Sequence, residues 1–122
     1  MSEILVVDDE QSVRDGMSAL LSSAGATVMC ADGIEPALAI SEKHRPDIAL
    51  VDFRLRDNRS GLELVSTLRD LYPAMPAIIV TGDTDPQRLR EADRAGIPLL
   101  HKPVAADELL ATVIDKFSVV NA

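Results

Sequence analysis

The sequence predicts an α/β domain built on one all-parallel sheet. Three observations carry that expectation. Five short apolar runs, most of them rich in β-branched residues, interrupt the chain without alternating polar positions. Stretches with helical spacing follow them, and Gly, Pro, Ser and Asp punctuate the boundaries. Continuous apolarity suits strands covered on both faces. Strand–helix alternation over short connections calls for parallel strands, right-handed crossovers and helices on both sides. The chain has 122 residues, the length of one domain, residues 1–122, and not two.

The first strand run is Ile4 to Val7. Val13, Met17, Leu20, Leu21 and Ala24 then fall on one helical face, and Gly25 stops that helix. Thr27 to Ala31 is the second run, after which Pro36 suits the first turn of a helix through Ala37, Ile40 and Ser41. Ile48 to Val51 is the third. Ser60 and Glu63 form a capping-box pattern ahead of Leu64, Val65, Leu68 and Leu71. Ala77 to Val80 is the fourth, and Asp85-Pro86 supplies a cap and a first-turn proline for a helix that Gly96 ends. That helix carries Arg88, Arg90, Glu91, Asp93 and Arg94 over a thin apolar stripe of Leu89, Ala92 and Ala95, so weak anchorage is expected. Leu99 to Leu100 is the fifth run, and Leu109, Leu110, Val113, Ile114 and Phe117 stripe the last helix.

Composition narrows the function. Hydrophobic residues make up 47% and aromatics 2%, so an aliphatic core is expected. A net charge of -8 repels DNA, RNA and anionic membranes, because binding them requires Lys and Arg to neutralise phosphates. A protein or a cation is the expected partner. Cys30 is the single cysteine, so no internal disulfide is expected, which fits a reducing, cytoplasmic setting. Its apolar strand run suggests an inert core thiol. Met1 leads into an apolar run with no basic stretch before it, so no signal peptide is expected, and no run has the length of a membrane span. His44 and His101 are expected to be satisfied or solvated side chains, not metal ligands.

In open sheets of this kind, ligands bind at the carboxyl ends of the strands, where strand order reverses. Strand one ends in Asp8-Asp9, strand three in Asp52, strand four in Thr81, and strand five runs into Lys102-Pro103. Three carboxylates, a hydroxyl and an ammonium would share one rim. Clustered carboxylates repel one another, and hard oxygen ligands suit Mg²⁺ or Mn²⁺. A carboxylate is also a competent nucleophile, giving an acyl phosphate. The transferring phosphoryl group then needs positive charge and donors around its equatorial oxygens. Gly82, beside Thr81, leaves room for a phosphoryl donor. Taken singly, each residue has a plain structural reading: Asp8 or Asp9 as a helix cap, Asp52 as a turn residue, Thr81-Gly82-Asp83 as a turn, Lys102 as a solvated strand end. Their joint placement at four strand ends favours a site.

These residues resemble the receiver domains of two-component response regulators. The likeness covers the whole chain and rests on Asp8-Asp9, Asp52, Thr81 and Lys102-Pro103, in the family's order and spacing. It implies a flavodoxin-like (βα)5 sheet of strand order 2-1-3-4-5. It implies that Asp52 is the phosphorylation site, and that Asp9, Asp52 and the backbone carbonyl of Arg54 hold Mg²⁺ while Asp8 assists through water. It further implies that Lys102 contacts the phosphoryl group, that Thr81 is the switch hydroxyl and that the Lys102-Pro103 bond is cis. The implied partner is a histidine kinase or a histidine phosphotransfer domain, with phosphorylation-dependent self-association as a further expectation. The chain would be a phospho-accepting signalling domain, not an enzyme.

Three positions depart from the family pattern. Leu99 stands where an aromatic switch residue is common. The loop from Phe53 to Gly61 lacks the usual proline and is one residue longer. Val104 replaces a frequent phenylalanine. The run from Gly96 to Val104 is most like receivers attached to hybrid sensor histidine kinases. Arg54 and Asp83, each two residues past a site residue, are expected to rim the same opening.

Other classes fit less well. A flavodoxin needs a hydroxyl- and glycine-rich loop after strand one to cradle phosphate, and Asp8-Asp9-Glu10 stands there instead. An aspartate-nucleophile phosphatase needs its nucleophile on strand one and a cap domain. A degenerate receiver, acting as a phosphorylation-independent docking module, is the remaining alternative.

Overall fold

The computed structural model describes residues 3–82 and 85–121, with residue 88 and residues 116–121 described as backbone alone. The elements run β1 (Glu3–Val7), α1 (Gln11–Ser23), β2 (Thr27–Ala31), α2 (Ile34–Lys43), β3 (Ile48–Asp52), α3 (Gly61–Leu71), β4 (Ala77–Thr81), α4 (Pro86–Arg94), β5 (Leu99–His101) and α5 (Ala106–Asn121). A short ribbon of Arg54–Leu55 against Arg59–Ser60 lies between β3 and α3. The main sheet is wholly parallel in the order β2-β1-β3-β4-β5. This is the flavodoxin-like arrangement expected.

Continuous apolarity in the strands has a direct cause. Alternate residues feed two separate cores. Leu5, Val7, Ala49, Val51 and Ile79 pack with residues of α2 and α3 on one face. Ile4, Val6, Ile48, Leu50, Ile78 and Val80 pack with residues of α1 and α5 on the other. Each large aliphatic side chain withdrawn from water contributes about 1.5–3 kcal/mol of hydrophobic free energy, so β1 from Ile4 onward, β3 and β4 stay apolar until their carboxyl ends. Edge strand β2 obeys a looser rule. Thr27 and Cys30 are exposed there, which corrects the expectation of a core thiol. With β1 its sole neighbour in the sheet, β2 leaves Cys30 over the polar side of α1, beside Arg14, Asp15 and Ser18.

Helix boundaries follow the local signals, with one exception in α3. Gly25 and Gly96 take positive φ where α1 and α4 stop. Asp85 caps α4 by accepting from the Gln87 N–H at 3.0 Å. Ser60 caps α3 by accepting from the Leu62 N–H at 3.1 Å, but the capping box does not close. Glu63 turns outward and pairs with Arg59 at 2.8 Å. The apolar stripe of α4 is thinner than the sequence suggests, since Ala92 is buried and Ala95 is exposed. On α5, Leu109 and Val113 are buried while Ile114 is exposed; Phe117 lies outside the described side chains. The core is aliphatic apart from Phe53, which is fully buried beneath the ribbon.

Candidate functional site

Strand register brings the chemistry together. Val7 is level with Val51 and Ala31, Asp52 with Val80, and Thr81 with His101. The residue after each strand therefore emerges on one rim. The N–H of Asp8 donates to Ala31 O at 3.1 Å, that of Phe53 to Val80 O at 3.1 Å and that of Lys102 to Thr81 O at 2.8 Å. These bonds extend the sheet by one residue and fix where the side chains leave it. The Lys102-Pro103 peptide is cis, as the resemblance implies.

A cleft of about 500 Å³ opens at this rim, lined by Asp9, Glu10, Asp52, Arg54, Thr81, Gly82 and Lys102. Asp8, Asp52 and Thr81 are buried at its base. Lys102 bridges the two carboxylates, its Nζ standing 2.8 Å from Asp8 Oδ2 and 3.3 Å from Asp52 Oδ2. The other oxygen of Asp8 accepts the Glu10 N–H at 2.9 Å, and Arg14 donates to the Asp8 carbonyl at 2.7 Å. Neither Asp8 nor Asp9 caps α1. Its N-cap position is Glu10, without a side-chain cap bond.

The charges are frustrated. Burial, then the negative charge of Asp8, pushes Asp52 up to about 6, against the opposing pull of Lys102 and of the Arg54 backbone N–H. For Lys102, burial works to lower the ammonium, but the hydrogen bond to Asp8 and the charges of Asp52 and Asp8 outweigh it and raise it. One cation shared between two buried carboxylates leaves a net negative charge, and an exposed Asp9 and Glu10 add to it. Carboxylate oxygens of Asp8, Asp9 and Glu10 all lie within 4.8 Å of one another. Hard oxygen donors at one negative opening fit a divalent cation such as Mg²⁺. Asp52 belongs to the same cleft but meets this cluster through Lys102.

Sequence reasoning singled out Asp8, Asp9, Asp52, Arg54, Thr81 and Lys102, and all six meet at this rim. Asp83 lies outside the described residues. Two contributors were missed. Glu10 was visible as the third acid of Asp8-Asp9-Glu10. Gly61 abuts the end of β3, where a Cβ would stand 2.1 Å from the Asp52 carbonyl oxygen and 2.9 Å from Val51 Cγ1. A glycine at the first position of a capped helix was its signal. Beside the acidic cleft and sharing Lys102 runs an apolar groove of about 580 Å³, lined by residues that include Val13, Met17, Leu20, Pro103 and Val104. No helix among the described residues is long and apolar enough to cross a membrane.

Comparison with known proteins agrees with this geometry. Residues 4–114 match the response regulator receiver domain family. The chain is 31% identical over 117 residues to sensory/regulatory protein RpfC of Xanthomonas campestris, covering 92% of this chain and 16% of that protein. It is 37% identical over 110 residues to response regulator MprA of Mycobacterium ulcerans, covering 88% of this chain and 47% of that one. It thus spans half or less of the length of these curated relatives. Among solved structures, a response regulator receiver domain protein of Clostridium thermocellum superposes with a TM-score of 0.91 at 26% identity, over 99% of this chain and 98% of that one. The CheY-like receiver domain protein of Methanospirillum hungatei gives 0.89 at 30% identity, over 97% and 94%. With a sheet whose strand ends gather two buried aspartates, a threonine and a lysine, and with a family match across nearly its whole length, the chain belongs to the receiver domains of two-component response regulators.

Proposed function

We propose that Asp52 accepts a phosphoryl group from the phosphohistidine of a histidine kinase or histidine phosphotransfer domain, in a reaction that needs Mg²⁺, with Mn²⁺ as a substitute. An Asp52 oxygen forms the new bond to phosphorus while the phosphorus–nitrogen bond breaks, and the imidazole leaves with the electron pair. Asp9, Asp52 and the Arg54 carbonyl would hold the metal. Both Asp8 oxygens are already engaged, by Lys102 and by the Glu10 N–H, which supports an indirect role for Asp8 through water. The bound cation supplies charge neutralisation at the transferring phosphoryl oxygens. Lys102 supplies a second positive charge there, and the Thr81 hydroxyl a donor.

The observation that carries this reading is the Lys102 ammonium held between two buried carboxylates at the strand-end cleft. A docking module without chemistry has no need of a charged group so placed. The apolar groove beside it, which shares Lys102 with the cleft, offers a seat for a protein phosphodonor, and the acidic surface disfavours nucleic acid and anionic membranes. Residues 1–122 form a single receiver unit that works in the cytoplasm as a signalling domain and not as an enzyme on an external substrate. Incubation with acetyl phosphate and Mg²⁺ should give one acid-labile phosphate per chain, absent from Asp52→Asn. Undiminished labelling of Asp52→Asn would remove Asp52 from the reaction; no labelling of the parent, with an intact fold, would favour the docking module.

A further inference from the structure

The ribbon between β3 and α3 is not needed to close the sheet, yet it is tied down from three sides. Its turn, Arg56–Asn58, holds Asp57 and Asn58 at φ 60 and 58, a left-handed conformation that L-residues adopt at a cost. Leu55 anchors the first strand of the ribbon in the core. The second strand is anchored by charge. Arg59 donates to Glu35 on α2 and, at 2.8 Å, to Glu63 on α3, so one guanidinium spans two helices. Arg56 adds a 3.2 Å pair with Asp32, ahead of α2.

The ribbon's own pairing carries that anchorage to the site. Arg59 is level with Leu55 and Ser60 with Arg54. The Gly61 N–H closes the base of the ribbon on Phe53 O at 2.7 Å. Arg54, the far end of this chain of contacts, gives its backbone N–H to the Asp52 carboxylate and lines the acidic cleft. We infer that Arg59 is a positioning residue: by clamping the ribbon to α2 and α3 it fixes the Arg54 backbone against Asp52, and so sets how well the cleft holds its divalent cation. This rests on the proposed function, in which the Arg54 carbonyl is a metal ligand. Outer contacts that orient ligands weigh heavily on metal affinity, typically by 10–100-fold. Exposed ion pairs weigh little on global stability. The two effects therefore separate.

The experiment compares the parent with Arg59→Gln, with Arg59→Lys and with the double variant Glu35→Gln/Glu63→Gln. Amide exchange over residues 54–61 is read in metal-free protein, Mg²⁺ affinity by calorimetry and melting by circular dichroism. In Arg59→Gln and in the double variant, exchange over 54–61 should quicken and Mg²⁺ affinity fall about tenfold, while melting moves by only about 2 °C. Arg59→Lys keeps the charge but not the two-way bridge, and should fall between. Unchanged exchange and affinity would overturn the inference. So would a large loss of melting temperature with affinity falling in step, since Arg59 would then merely support the fold. A parent that binds no Mg²⁺ would remove the functional reading itself, whereas a parent that binds it beside unaffected variants removes this inference alone.

Discussion

Asp52→Asn should make the metal-free protein more stable, and the gain should vanish in acid. Asp52 is buried, faces the Asp8 charge and has its carboxyl raised from 3.8 to about 6. A raised carboxyl means that the folded state holds the proton more tightly than the unfolded chain. The ionised form therefore costs the folded state free energy above pH 6, and that cost disappears as the pH falls from about 6 to below 3.8. Two pH units correspond to about 3 kcal/mol at neutral pH. The opposing pull of the 3.3 Å contact with Lys102 is already contained in that net shift. Lys102 keeps its closer partner, Asp8, at 2.8 Å. The expected gain at pH 7.5 is therefore about 3 kcal/mol, or roughly 9–15 °C of melting temperature for a domain of this size. Urea denaturation of both proteins without divalent cations, at intervals from pH 4 to 7.5, measures it. The difference should shrink steadily between pH 6 and 4. A difference that does not change with pH, or an Asn variant less stable than the parent at pH 7.5, would refute the argument that Asp52 carries this frustration.

Mg²⁺ should stabilise the parent through the same charges: at about ten times its dissociation constant the gain is about 1.4 kcal/mol, and thermal melts should show it fading below pH 6 as Asp52 takes up its proton. Gly61→Ala should be severely destabilising, by about 1–3 kcal/mol or more, because a Cβ would stand 2.1 Å from the Asp52 carbonyl; denaturation gives the stability, and acetyl phosphate labelling should fall further than the fraction folded. Thr81→Ala should still take up phosphate but lose the protection change that a beryllofluoride mimic induces in the backbone of α4, where Ala92 is the one fully buried anchor among the described side chains; amide exchange over residues 85–96 distinguishes the two proteins.

The strands and their rim were legible because burial on both faces leaves a continuous apolar record, and because the first polar residue after it marks the rim. Asp8, Asp52, Thr81 and Lys102 are the places where that record breaks. Edge position leaves no such record. The run Thr27–Ala31 is as apolar as a central strand, yet one side of β2 has no neighbour, and Cys30 is exposed there. Ion pairs were equally hidden. Glu63 satisfies the pattern of a capping box, but its carboxylate goes to Arg59, which also reaches Glu35 on another helix. Local spacing names the residues that could pair and not the ones that tertiary structure brings within reach. The ribbon between β3 and α3 shares this origin. Its sequence, Arg54 to Ser60, reads as a polar loop, and its order comes from Leu55 in the core, from the adjoining α3 and from α2, which is distant in sequence.

On the proposed function, Lys102 has to change partners during the reaction. The ammonium is closer to Asp8 than to Asp52, and Asp8 Oδ2 has it as a hydrogen-bond partner at 2.8 Å. For Lys102 to meet a phosphoryl oxygen on Asp52, it must loosen from Asp8. A buried carboxylate left without its cation costs more than the pair gained by forming, so Asp8 cannot release Lys102 unless another positive charge takes its place. On the proposed function that charge is the cation held by Asp9, Asp52 and the Arg54 carbonyl, with Asp8 reaching it through water. On that reading the electrostatics favour cation first and phosphoryl group second. Burial, then the Asp8 charge, keeps Asp52 at about 6 against the pull of Lys102. With Lys102 drawn toward Asp8, the acceptor carboxylate is only half neutralised, and the remaining deficit favours whatever next brings positive charge into the cleft.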